Sequence, residues 1–219
     1  MRRLALFDLD DTLVAGDSDY LWGQFLIEQG VIDRDEYEEK NREFNDRYRA
    51  GTLNLDDYLG FQLLPLARFD RAELDAWHAQ FLASKIVPII RPGAGALIAR
   101  YADAVQVMIT ATNRFVTGPI SRTLGIPNLL ATELEESGGR FTGRARGTPC
   151  FKEGKITRLE EWLAGRGETL ADYGESAFYT DSINDLPLLL RVTHPFAAHP
   201  DDRLRKEAVE RHWPIVSLD

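Results

Sequence analysis

Short apolar runs alternate with amphipathic stretches over most of this chain. The runs Leu4–Leu9, Val105–Ile109, Leu129–Ala131, Ala177–Thr180, Val192–Ala197 and Ile215–Ser217 predict strands. Between them, Ala94–Tyr101, Phe115–Leu124, Lys155–Ala164, Asn184–Leu190 and Asp202–Arg211 carry helical spacing. Strands alternating with helices over short connections predict an α/β fold, a doubly wound parallel sheet covered by helices on both faces. Glu133–Ser137 and Arg140–Arg144, joined by Gly138-Gly139, predict a small β-hairpin appended to that sheet.

Residues 17–84 break the alternation, because they contain no strand pattern. Leu21, Phe25 and Ile27 begin a helical period, and Asp33–Tyr48 reads as a charged helix with Tyr37, Phe44 and Tyr48 spaced along it. Leu55–Leu66 and Leu74–Leu82 supply two more helices, the second with Asp70 as its capping candidate. Pro88 and Pro92-Gly93 turn the chain back toward the sheet. The expected organisation is a core of residues 1–16 and 86–219 with a helical insertion at 17–85.

Charge separates the two parts as well. Residues 17–84 hold fifteen Asp/Glu against seven Lys/Arg, a balance of −8, so the rest contributes about −1 to the chain's −9. They also hold eleven of the 22 aromatic residues, among them Tyr20, Trp22, Phe25, Phe44 and Trp77. Such a surplus of negative charge disfavours a nucleic-acid surface. No apolar stretch is long enough to span a bilayer, and the short run after Arg2-Arg3 stops at Asp8, unlike a secretory signal. The lone Cys150 excludes an internal disulfide and fits a reducing, cytoplasmic location; its expected role is that of a small buried apolar residue.

Two carboxylates, Asp8 and Asp10, close the first apolar run. An extended chain places i and i+2 on one side, so the pair is expected to point together from the strand's C-terminal end. Capping of the following helix is the alternative use for Asp10 or Asp11. Asp181 ends another apolar run and Asp185 follows it by four residues, with Ser182 or Asp181 as an N-cap candidate. Four carboxylates on one sheet edge repel unless a cation shares the site. Oxygen ligands with no Cys or His cluster beside them predict Mg2+ rather than zinc. A third run ends in Thr110-Ala111, a hydroxyl with exposed backbone N–H groups suited to a phosphate oxygen. Lys155, or alternatively Lys152, supplies a cation at the start of a helix.

In this order the residues resemble the haloacid dehalogenase-like phosphatase superfamily. Asp8-Leu9-Asp10-Asp11-Thr12 is similar to its Asp-x-Asp-x-Thr motif, and Thr110, Lys155 and Asp181-Ser182-Ile183-Asn184-Asp185 look like the three that follow. The resemblance spans essentially the whole chain and implies a Rossmann-like core with a helical cap after the first strand, the phosphoserine-phosphatase-like arrangement. It implies Asp8 as nucleophile and Asp10 as acid and base. Mg2+ is implied on Asp8, the Asp10 backbone carbonyl and Asp181, supported by Asn184 and Asp185, with Thr110, Ala111 and Lys155 on the phosphoryl oxygens.

Asp17 stands where phosphoserine phosphatases carry an amine-binding glutamate, and capping of the helix near Ser18 is compatible with that. Arg42, Arg47 and Arg49 are candidates for a carboxylate-binding arginine. Ile109–Thr117 departs from the Ser-Gly-Gly expected of phosphoserine phosphatases and looks more like relatives that include histidinol-phosphate phosphatases. An acidic cap suits a small amine-bearing phosphate monoester better than a nucleotide. Histidinol phosphate ranks first, with phosphoserine or a broader set of small metabolites as the alternative. A receiver-type phospho-acceptor domain is the non-enzyme alternative, but such domains are shorter and need no cap. Opening of the cap is expected to hinge near Val14-Ala15-Gly16 and Ile86–Arg91.

Overall fold

The computed structural model describes residues 2–49 and 52–219, the side chains of Tyr48 and Arg49 excepted. Six parallel strands form the main sheet in the order β3-β2-β1-β6-β7-β8. They are β1 (Arg3–Phe7), β2 (Val105–Asn113), β3 (Asn128–Thr132), β6 (Glu175–Thr180), β7 (His194–Ala198) and β8 (Ile215–Val216). Alternation within each strand feeds two cores. Ala5, Phe7, Met108, Ala177 and Tyr179 pack on one face with the helices α5 (Ala94–Ala99) and α6 (Arg114–Thr123). Leu4, Leu6, Val107, Ile109 and Phe178 pack on the other with α7 (Glu153–Ala164), α8 (Leu186–Leu189) and α9 (Asp202–Glu210). Burial on both faces is what a parallel sheet requires, and it makes the fold the doubly wound α/β type.

Among the described residues between β1 and α5 there are four α-helices and no strand: α1 (Ser18–Glu28), α2 (Arg34–Arg49), α3 (Leu55–Arg68) and α4 (Arg71–Phe81). Asp70 caps α4 in a reciprocal pair with Glu73, and Asn54 caps α3. The helices share most of their apolar interior with the sheet, apart from Tyr37 and Phe44, which pack on Phe61. Trp22, Phe25, Leu63, Leu74 and Phe81 join the cluster that covers one sheet face, with Phe115 and Phe141 between. His78 of α4, buried in that aromatic group, bonds the Val116 carbonyl of α6 at 2.8 Å. The two connections run side by side. Val14 bridges Ile90, Ala15 N–H donates to the Ile89 carbonyl and Arg91 N–H to that of Leu13. Among the described residues no helix is long and apolar enough to cross a membrane.

Several sequence expectations are corrected. β1 stops at Phe7, not Leu9, because Leu9 turns into the core and its carbonyl accepts from Thr12, Leu13 and Val14 in a tight turn. β2 runs four residues past Ile109, with a register shift against β3. The hairpin, β4 (Leu134–Ser137) and β5 (Arg140–Ala145), forms its own two-stranded sheet and is not appended to the main one. It lies on α3, where Gly143 faces Ala67 and Leu64 with a φ of +80° that favours glycine, and Arg140 donates to the Arg68 carbonyl. The helix expected from Asn184 to Leu190 is a 3-10 turn, Ile183–Asp185, followed by α8 with Pro187 in its first turn.

Candidate active site

The strand order reverses at β1, where crossovers leave to either side and the C-terminal sheet edge opens. A cleft of about 1180 Å³ lies there. It is lined by Asp8, Asp10, Thr110, Ala111, Lys155, Asp181, Asn184 and Asp185, and by Asp17 from the start of α1. Lys152 is absent from its lining and rests against the Phe151 ring, whereas Lys155 is buried within it. Asp8 and Asp10 both line the cleft just past the end of β1, with Leu9 between them turned into the core beside Phe7.

A buried polar chain forms the floor. Lys155 Nζ donates to Asp8 Oδ1 at 2.9 Å and to Asp185 Oδ2 at 2.6 Å, and Thr180 Oγ1 donates to the same Asp185 oxygen at 2.6 Å. Asp181 is held from the neighbouring loop, its Oδ1 accepting from Thr12 Oγ1 and its N–H donating to that hydroxyl. Burial pushes the Asp8 carboxyl up to about 7 against the downward pull of Lys155. Burial and then the charge of Asp8 push Asp181 well above the usual carboxylate range. For Lys155 burial works to lower the pKa, but Asp185 and Asp8 outweigh it and hold the ammonium charged.

Asp10 is fixed from two sides. Its Oδ1 accepts from the Ser18 N–H at the start of α1 at 2.7 Å, and its Oδ2 accepts from Thr112 Oγ1 at 2.7 Å. Burial, then the charge of Asp17, pushes its carboxyl up to about 7. Asp17 caps α1 through Tyr20 N–H while facing the cleft. Of the candidate arginines, Arg42 lines the cleft, Arg47 bonds Glu43, and the side chain of Arg49 lies outside the described residues.

Four contributors escaped the sequence reading. Asp19 is buried in the first turn of α1, bonded to Asn113 Nδ2 at 2.9 Å, and held well above its usual range by burial and then by Asp17 and Asp10. Its one signal was helical register with Trp22 and Gly23. Thr112 lines the cleft beside Thr110 and bonds its hydroxyl, which a shorter β2 concealed. Glu38 and Asn41 of α2 reach the cleft with no local pattern to mark them.

The donor set fits a hard divalent cation. Asp8, Asp181 and Asp185 are held in protein against one bonded ammonium, leaving negative charge uncompensated beside the open cleft. Among the described residues no three His, Cys, Asp or Glu side chains converge as a ready cage. The implied set asks for two carboxylates and one backbone carbonyl. A stability measurement checks this charge excess. Asp8 has a folded pKa above its ordinary 3.8, so its stability contribution is intact below that value and lost as pH rises through about 7. In metal-free protein the Tm of Asp8→Asn is therefore expected to gain on wild type between about pH 5 and about pH 8. A difference that stays flat or shrinks contradicts the burial argument.

The haloacid dehalogenase-like hydrolase model matches residues 5–190. Histidinol-phosphatase of Neisseria meningitidis serogroup C (strain 8013) is 47% identical over 221 residues, covering 100% of each chain. A solved protein of unknown function from Bordetella pertussis Tohama I superposes at TM-score 0.95 with 44% identity, again over 100% of each chain. A substrate-bound phosphoserine phosphatase has the same fold at TM-score 0.67 and 20% identity, over 94% of this chain and 90% of its own. The chain belongs to the haloacid dehalogenase-like hydrolases and is a phosphatase of that family.

Proposed function

We propose that this phosphatase is a Mg2+-dependent, cytoplasmic enzyme that hydrolyses L-histidinol phosphate through an aspartyl-phosphate on Asp8. The observation that carries the mechanism is the Asp8–Lys155–Asp185 chain under an open cleft, which holds a carboxylate oriented and half-neutralised where a phosphate enters. Thr110 Oγ, the Ala111 N–H and Lys155 hold the phosphoryl oxygens. Asp8 attacks phosphorus as the ester P–O bond breaks, and Asp10 delivers a proton to the departing oxygen. Asp10, now a carboxylate, then takes a proton from the water that attacks the acyl phosphate, releasing inorganic phosphate and restoring Asp8. The Asp8 and Asp181 carboxylates and the Asp10 carbonyl would hold Mg2+, which would supply the positive charge that lets an anionic nucleophile approach an anionic phosphate. Asn184 and Asp185 support that ion's surroundings.

Residues 17–85 act as the cap that selects substrate over the core of 1–16 and 86–219. The cap wall presents Asp17, Asp19 and Glu38 to the cleft, a field that favours a cationic substrate, and Tyr20, Phe44 and Tyr58 add aromatic surface for an imidazole. The full-length relative named histidinol-phosphatase supports the same substrate. Arg42 favours a second reading, because it offers phosphoserine's carboxylate a partner. Side-by-side kinetics decide. kcat/KM for L-histidinol phosphate is expected to exceed that for phosphoserine by about tenfold or more; the reverse order makes phosphoserine the substrate.

A further inference from the structure

Thr112 takes no part in the chemistry described so far, yet its hydroxyl is aimed at the acid/base. Thr112 Oγ1 donates to Asp10 Oδ2 at 2.7 Å across a sequence separation of 102 residues. The threonine is itself immobilised: it is 5% exposed, lies on β2, and its N–H donates to Thr110 Oγ1 at 3.2 Å. The other Asp10 oxygen, Oδ1, accepts from the Ser18 backbone N–H. That group donates in every protonation state, whereas a hydroxyl donates to a carboxylate and accepts from a carboxylic acid by turning its O–H bond. The Asp10 carboxyl is therefore held at both of its oxygens.

We propose that Thr112 is a positioning residue for the phosphatase reaction, fixing the plane of the Asp10 carboxyl. A single bond from Ser18 lets the carboxyl pivot; the second bond, from a rigid strand, removes that freedom. Thr112 neither gains nor loses a proton in the cycle. The proton passes from the Asp10 carboxyl to the ester oxygen as its bond to phosphorus breaks, and returns from water in the second half. Thr110 and Thr112 are two residues apart on β2 and joined by the Thr112 N–H to Thr110 Oγ1 bond, so the phosphate cradle and the support of the acid are linked directly. The proposal rests on the reading of Asp10 as acid and base.

Leaving-group dependence tests it. An alkyl phosphate such as L-histidinol phosphate or phosphoserine needs the proton, whereas p-nitrophenolate departs without one. Thr112→Val is expected to lower kcat/KM about 10- to 100-fold on the alkyl phosphate and less than about 3-fold on p-nitrophenyl phosphate. Thr112→Ala reproduces this split should the valine variant fold poorly, and Thr112→Ser restores both substrates to within about 3-fold of wild type. Asp10→Asn, measured alongside, separates the two claims. If Asp10→Asn shows the split and the hydroxyl-free variants do not, losing both substrates equally or neither, the positioning role is overturned while the acid/base reading stands. A failed serine rescue likewise overturns it. If Asp10→Asn shows no split, the acid/base reading falls and the positioning role with it.

Discussion

Asp8→Asn is expected to lower kcat by at least about 10³-fold while the protein stays folded. The amide keeps the size and most contacts of the carboxylate but has no lone-pair charge with which to attack phosphorus. The fold survives because Lys155 retains Asp185 and Thr180 retains its bond to that same carboxylate. Removal of a buried charge that burial already penalises does not weaken the folded state. Circular dichroism and Tm report the fold, and a steady-state phosphate assay reports the loss. Slow recovery of activity accompanied by the mass change of deamidation marks reversion to Asp. Full activity in intact Asn protein removes Asp8 from the nucleophile's role.

Lys155→Met is expected to damage both stability and turnover. The ammonium is 3% exposed and bonds two carboxylates, so its loss leaves Asp8 and Asp185 buried together without that charge. Breaking a buried pair from one side costs about 3–5 kcal/mol, which a denaturation curve resolves. Asp8 then binds its proton more tightly, so kcat falls as well, by about 10²-fold or more. Lys152→Met makes the control. Its ammonium lies over the Phe151 ring outside the cleft lining, and its replacement shifts stability by no more than about 0.5 kcal/mol. Equal effects at the two positions contradict the assignment of Lys155.

How far these residues can be read from sequence depends on how local their signals are. Asp8, Asp181 and Thr110 were legible because each closes an apolar run, and parallel sheets open their clefts at strand ends. Lys155 against Lys152 was not decided by sequence, because the choice turns on which face of the α7 entry meets Asp8. The hairpin's turn was legible in Gly138-Gly139, but its partner was not: docking on α3 joins segments some seventy residues apart. Asp19 looked like a first-turn acid complementing a helix dipole, and its burial follows from how α1 packs under β2. Thr112 was hidden by a strand that outlasts its apolar run. At Asn184–Leu190 the apolar spacing was helical, but the Ser182 cap and Pro187 tighten the entry into a 3-10 turn.

The central claim is that phosphate passes through Asp8. Wild-type enzyme mixed with L-histidinol phosphate and Mg2+, quenched in acid during turnover and reduced with borohydride, tests it most directly. An acyl phosphate reduces to an alcohol, so the account predicts Asp8 converted to homoserine in the peptide that carries it, with no conversion in the absence of substrate. Conversion at another carboxylate, or rapid turnover with Asp8 left unmodified, contradicts it.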